Sequence, residues 1–192
     1  LKNYNQIKES YLTYEDKISA YKKDQESKSN LVKFDRKFYE INKPLIIENK
    51  DVLINDNTKI CLKEKGLIHV INSNVRVNGS KKYPVEIRNC DEDKKIKRGI
   101  IMEKSKIFIN NLVVDNLNSP NIKLRLLDGG LNFINSEIEV NNLISRNSIS
   151  EDAINIIDSE FKANRIHIEN AKSDAFDSDF SKFSIKNLSC FN

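Results

Sequence analysis

The sequence predicts a mainly β protein, a parallel β-helix solenoid preceded by an amphipathic helix. Three observations carry that expectation. Apolar residues alternate with a period of two from about Phe38 onward. One short phrase recurs through the rest of the chain. The aliphatic positions also keep register from copy to copy. The 192 residues suffice for one sizeable core or a small domain plus an arm, and 39% hydrophobic with 31% charged residues is the balance of a folded chain. No run approaches the roughly 18 apolar residues of a spanning helix, so no membrane span is expected. The 32 Lys/Arg are interleaved with 28 Asp/Glu, a mixed surface that argues against nucleic acid as a partner.

Residues 1–30 differ from all that follows. Tyr4, Ile7, Tyr11, Tyr14, Ile18 and Tyr21 fall at alternating steps of three and four, the seam of an amphipathic helix. Tyr packs poorly in a tight two-stranded seam, so the helix is expected to act as an arm or cap rather than as a coiled coil, with Gln25–Asn30 as a polar linker.

The repeat occupies residues 38–192. Its marker serines are Ser73, Ser105, Ser136, Ser159 and Ser181, spaced 32, 31, 23 and 22 residues apart. The coil therefore has a minimum near 22 residues and accepts insertions. Each copy carries three apolar pairs, such as Ile107/Ile109, Ile138/Val140 and Phe161/Ala163 in the middle position. About six coils of three strands follow, each pair pointing both members to one side. Ile107, Ile138, Phe161 and Phe183 are expected to form one inward stack. A leucine-rich repeat would need a helix and a fixed LxxLxL phrase, and neither is present.

Asn110, Asn111, Asn141, Asn142, Asn164 and Asn187 recur between the second and third strands, where Asn tolerates left-handed backbone and can bond its own copy in the next coil. A structural Asn ladder is expected, with the serines in an equivalent role at the other bend. His69 and His167 alternate outward and read as surface residues. Cys190 falls in an inward column and reads as a small buried hydrophobe. Cys61 and Cys90 show no reason to pair, and Lys94–Arg98 reads as a solvated insertion.

The phrases Pro44-Leu-Ile-Ile, Thr58-Lys-Ile, Gly79-Ser-Lys-Lys-Tyr-Pro-Val-Glu-Ile, Asp152-Ala-Ile and Asp174-Ala-Phe resemble the opening and closing coils of right-handed parallel β-helix proteins of the pectate-lyase-like superfamily. The resemblance covers most of the chain. It implies a right-handed coil and a bacterial, secreted or cell-surface setting. The superfamily spans lyases, hydrolases, adhesins and inert scaffolds, so the fold does not fix the activity.

The acidic group Asp152, Asp174, Asp177 and Asp179 is the candidate ligand site. Asp152 and Asp174 stack one coil apart, as do Asn155 and Asp177. Hard carboxylate oxygens suit Ca²⁺, placed at Asp174, Asp177 and Asp179, and the resemblance implies such a site beside an acidic sugar. No arginine lies on these strands, however, and turn capping also accounts for Asp152 and Asp174. The expected function is a non-enzymatic surface or exported module that binds a polysaccharide or a protein, or acts as a scaffold. The alternative is a polysaccharide lyase or glycoside hydrolase using the acidic face. Because the last strand closes near Cys190, another chain or domain is expected to cover the C-terminal coil.

Overall fold

The computed structural model describes residues 30–91, 96–122 and 125–191. The helix expected over Tyr4–Tyr21 lies outside the described residues. The unit from Leu31 onward is a parallel β-solenoid of about seven turns. The first turn holds β1 (Leu31–Phe34) and β2 (Phe38–Ile41). The next two are β3 (Pro44–Glu48), β4 (Asp51–Asn55), β5 (Lys59–Leu62), then β6 (Leu67–Ile71), β7 (Asn74–Asn78), β8 (Val85–Asn89). From β9 (Ile100–Glu103) and β10 (Lys106–Asp115) onward the second and third strands fuse into one bent strand of ten residues. After a short antiparallel pair, β11 (Asn121–Ile122) and β12 (Arg125–Leu126), the turns continue. They are β13 (Gly129–Ile134) with β14 (Glu137–Arg146), β15 (Asp152–Ile157) with β16 (Glu160–Glu169), and β17 (Asp174–Asp179) with β18 (Lys182–Phe191).

Two sheets run the length of the coil. The shorter-stranded sheet is ordered β17-β15-β13-β9-β6-β3, and the long one runs β1-β4-β7-β10-β14-β16-β18 with β2, β5 and β8 joined to its third limb. The expected inward stack is present: Ile107, Ile138, Phe161 and Phe183 pair in register, continued upward through Val75, Val52 and Val32. Across the interior, Phe133, Phe161, Phe176 and Phe183 follow one another with ring centroids 5.8, 6.0 and 5.9 Å apart. The solenoid has about one turn more than the sequence suggested, because Leu31–Phe34 already pairs with β4 ahead of Phe38.

The polar columns divide the labour differently from expectation. Ser73 accepts from Lys50 N–H at 3.1 Å, and each marker serine from Ser105 on accepts a bond from the main-chain N–H of the preceding coil's serine, at 3.1 Å for Ser73 to Ser105 and 3.0 Å for Ser136 to Ser159. Its hydroxyl then donates to the carbonyl two residues back, as Ser136 does to Ile134 at 2.8 Å. The Asn ladder forms at the bend, where Asn141 donates to Asn110 at 2.8 Å and Asn164 to Asn141 at 3.2 Å. These bend asparagines are not the left-handed ones. Left-handed positions recur just before the serines, at Asn72, Lys104, Asn135, Asp158 and Phe180, and after the third limb, at Glu64, Asn116, Asn147 and Asn170, with Asn49 and Asn57 left-handed in the earlier turn of β3 to β5. Gly79 is required at the bend because a Cβ there would lie 2.0 Å from the Asn111 carbonyl oxygen.

Four expectations are corrected. Cys61 and Cys90 form a disulfide with Cα atoms 5.5 Å apart, because Cys90 continues the β5–β8 ladder, its N–H bonding Leu62 O at 3.0 Å, two residues past the register partner of Cys61. Cys190 is exposed, since no described strand covers the inward column beyond it. His69 is buried and meets Glu103 at 3.2 Å. Arg98 is wholly buried rather than solvated, donating to the Glu64 carbonyl at 2.8 Å and to Asp91 at 2.8 Å. Among the described residues no helix is long and apolar enough to cross a membrane.

Candidate functional site

The acidic face is built by two neighbouring strands. Asp152 opens β15 directly below Asp174 of β17, Asn155 pairs with Asp177, and Ile157 pairs with Asp179. Asp152 is buried, whereas Asp174 and Asp179 are exposed and Asp177 is half-buried. Burial, with like-charge repulsion from Asp177, Asp128, Asp174 and Glu151 adding to it, pushes the Asp152 carboxyl up to about 6. Main-chain bonds close the turns in front of these strands, Asp152 N–H to Asp128 O at 3.1 Å and Asp174 N–H to Glu151 O at 2.8 Å. Beside them the Asn155 Oδ1 is buried without a hydrogen-bond partner. Among the described residues no three His, Cys, Asp or Glu side chains converge closely enough to hold a metal ion.

A second surface was not singled out from the sequence. On the outward face of the long sheet, Lys33, Leu53, Arg76, Phe108, Glu139, Lys162 and Ser184 occupy one row. A groove of about 650 Å³ runs over Leu53, Arg76, Phe108 and Glu139. A smaller one of about 340 Å³ continues from Phe108 and Glu139 to Lys162 and Lys186. Phe108 lines both, 40% exposed, with the Arg76 guanidinium 6.0 Å from its ring centre. Its outward direction was legible from the alternation Lys106-Ile107-Phe108-Ile109. Its place at the junction of two grooves depends on what the neighbouring coils carry.

On the third limb the outward rows are Val113, Ile144, His167, Ser189 and Asp115, Arg146, Glu169, Phe191. His167 Nδ1 lies 2.7 Å from Ser189 Oγ, and its Nε2 lies 2.6 Å from Glu169 Oε1. His167 is half-buried against the Phe191 ring. The 22-residue step from His167 to Ser189 is the coil repeat itself and places them side by side.

These features define a parallel β-solenoid protein with long exposed sheet faces. No protein-family model, no curated protein and no solved structure matches the chain.

Proposed function

We propose that the chain is an exported β-helix module of the pectate-lyase-like kind whose long sheet holds a polysaccharide along its outward face without acting on it. The observation that carries this reading is Phe108, an exposed ring at the centre of two adjoining grooves and flanked by Arg76, Glu139 and Lys162. An aromatic face packs against the C–H surface of a sugar ring, while the charged and amide groups on either side bond its hydroxyls. A solenoid repeats such rows at strand spacing, which suits a polymer. The Cys61–Cys90 disulfide supports export, because such bonds persist in oxidising compartments. Titration calorimetry against a panel of neutral and acidic polysaccharides tests the reading. Binding by the wild type, weakened roughly tenfold in Phe108→Ala, is expected. Absence of binding across the panel, or equal binding by the variant, removes it in favour of a protein-binding or scaffold role.

The second reading, a lyase or hydrolase on the acidic face, is favoured by the Asp152 carboxyl, which at about 6 is suited to donate a proton beside ionised neighbours. Release of new chain ends from acidic polysaccharides, with Ca²⁺ present and lost in Asp177→Asn, would move that reading ahead.

A further inference from the structure

We propose that Ser189, His167 and Glu169 form a nucleophile, base and positioning group that hydrolyse a small acyl ester on the third limb of the last two turns. This goes beyond glycan binding and stands without it.

The three side chains lie in line, Ser189 Oγ to His167 Nδ1 at 2.7 Å and His167 Nε2 to Glu169 Oε1 at 2.6 Å. That is the reach required between a nucleophile, its base and the group that orients the base. Glu169 is fixed from its other side by Arg146, Nε to Oε2 at 3.2 Å. The hydrogen bond from His167, with the Arg146 charge adding to it, keeps the Glu169 carboxyl below the usual carboxylate range, so it accepts. The Nε2 of a neutral His167 therefore carries the hydrogen, and Nδ1 is left to take the proton of Ser189.

The arrangement is not part of the repeat. The serine spine and the Asn ladder recur in coil after coil, whereas the same two outward rows hold Val113 with Asp115, and Ile144 with Arg146, in the preceding turns. A column that merely closed the coil would show the same residues above.

The surroundings suit an acyl group. Ile144 and Val113 precede His167 in the same row and line a neighbouring depression of about 380 Å³ with Arg165 and Asn187, which His167 and Ser189 border without lining it. Phe191 O accepts from Asn170 N–H at 2.8 Å, so by alternation Ser189 and Phe191 bond back to β16. The N–H of Cys190, next after Ser189, then faces the edge with which no described strand pairs. It can donate to an oxyanion formed at Ser189.

The step balances without a further reactant. Ser189 Oγ bonds the ester carbonyl carbon as its proton passes to His167 Nδ1. The carbon–alkoxy bond then breaks, and the leaving alcohol takes that proton. Water, deprotonated by His167, attacks the acyl-serine, releasing the carboxylic acid and restoring the Ser189 hydroxyl.

The test uses the full chain with 4-nitrophenyl acetate, followed by an alkyl fluorophosphonate and peptide mass mapping. Turnover above buffer is expected, lowered on the order of 100-fold in Ser189→Ala and His167→Gln, and unchanged in Ser173→Ala, which alters an exposed serine in the turn before β17. Glu169→Gln should lower kcat with KM held, since Glu169 touches His167 and not the ester. The phosphonyl adduct should map to Ser189 in the wild type, a readout that does not depend on any variant folding. Equal turnover by wild type and Ser189→Ala, or an adduct mapped away from Ser189, would overturn the proposal.

Discussion

Asp152 has a carboxyl raised from the ordinary 3.8 to about 6 in the folded chain. The folded state therefore holds this proton more tightly than the unfolded state does. Its destabilising contribution is absent below the unfolded value, grows as pH rises from about 4 to 6, and is complete above 6. In full it amounts to no more than about 3 kcal/mol, less as solvent screens the exposed neighbouring carboxylates. Asp152→Asn should raise the melting temperature at pH 7.5 and leave it unchanged at pH 3.5; equal shifts at both would show that the carboxylate carries no strain. Ser136 makes the opposite kind of contribution. Its hydroxyl satisfies both the Ser105 N–H, at 3.1 Å, and the Ile134 carbonyl, at 2.8 Å. Ser136→Ala leaves the buried Ser105 N–H without its partner, at about 1–3 kcal/mol, while the Ile134 carbonyl keeps its bond from Lys104 N–H at 2.9 Å. Urea unfolding should show that loss, and Ser136→Thr should recover part of it by keeping the hydroxyl.

At the scale of strands and turns, the inward columns were legible because alternation at period two fixes the side on which each residue falls. The register of Ile107, Ile138 and Phe161 followed from the serine spacing alone. The same rule tells nothing of what covers an outward residue. His69 reads as solvent-facing by parity, and its burial beside Glu103 depends on the next coil. The pairing of Cys61 with Cys90 crosses a sequence separation of 29 that includes an irregular loop, so no period places the two thiols together. Arg98 was hidden for the same reason, inside an insertion whose charged composition resembles a solvated one. The acidic stack of Asp152 with Asp174 was legible as a column, but the groove at Phe108 was not, since a cavity depends on side-chain volume across several coils. The disulfide closes a loop of about 30 residues, worth about 3–4 kcal/mol in a chain-entropy account. Cys61→Ser with Cys90→Ser should lower the melting temperature accordingly, and a reducing agent should do the same to the wild type but nothing to the double variant. Ile138→Asp sets an unpaired charge into the closed interior. A loss of more than about 4 kcal/mol, enough to remove the cooperative melt, is expected, whereas wild-type melting would contradict the stack.

A solenoid is close to one-dimensional: each turn is stabilised by the turns above and below, and local stability follows how much of a turn its neighbours bury. Burial here is uneven along that line. All six residues of β13 are buried, and β15 is buried through its first five. In β17 and β18 none is, with Phe183 at 57% and Phe191 at 61% exposure, and Phe180 in the turn between them is 92% exposed. Among the described residues the main-chain bonds of β18 run only to β16, so opening them breaks contacts on one side, whereas opening β14 breaks contacts with both β10 and β16. Amide exchange should therefore be slowest in β13 to β16 and fastest in β17 and β18. A partner or further domain that covers the final turn, as its exposed rings invite, would slow exchange in β18 first and leave β13 unaffected. The gradient also separates the two proposed sites: a polysaccharide bound at Phe108 sits over the slow centre and should scarcely alter exchange there. Acylation of Ser189 lies on the fast terminal turn, where any added contact is felt directly. Uniform protection from β4 to β18 would contradict the unequal burial on which this rests.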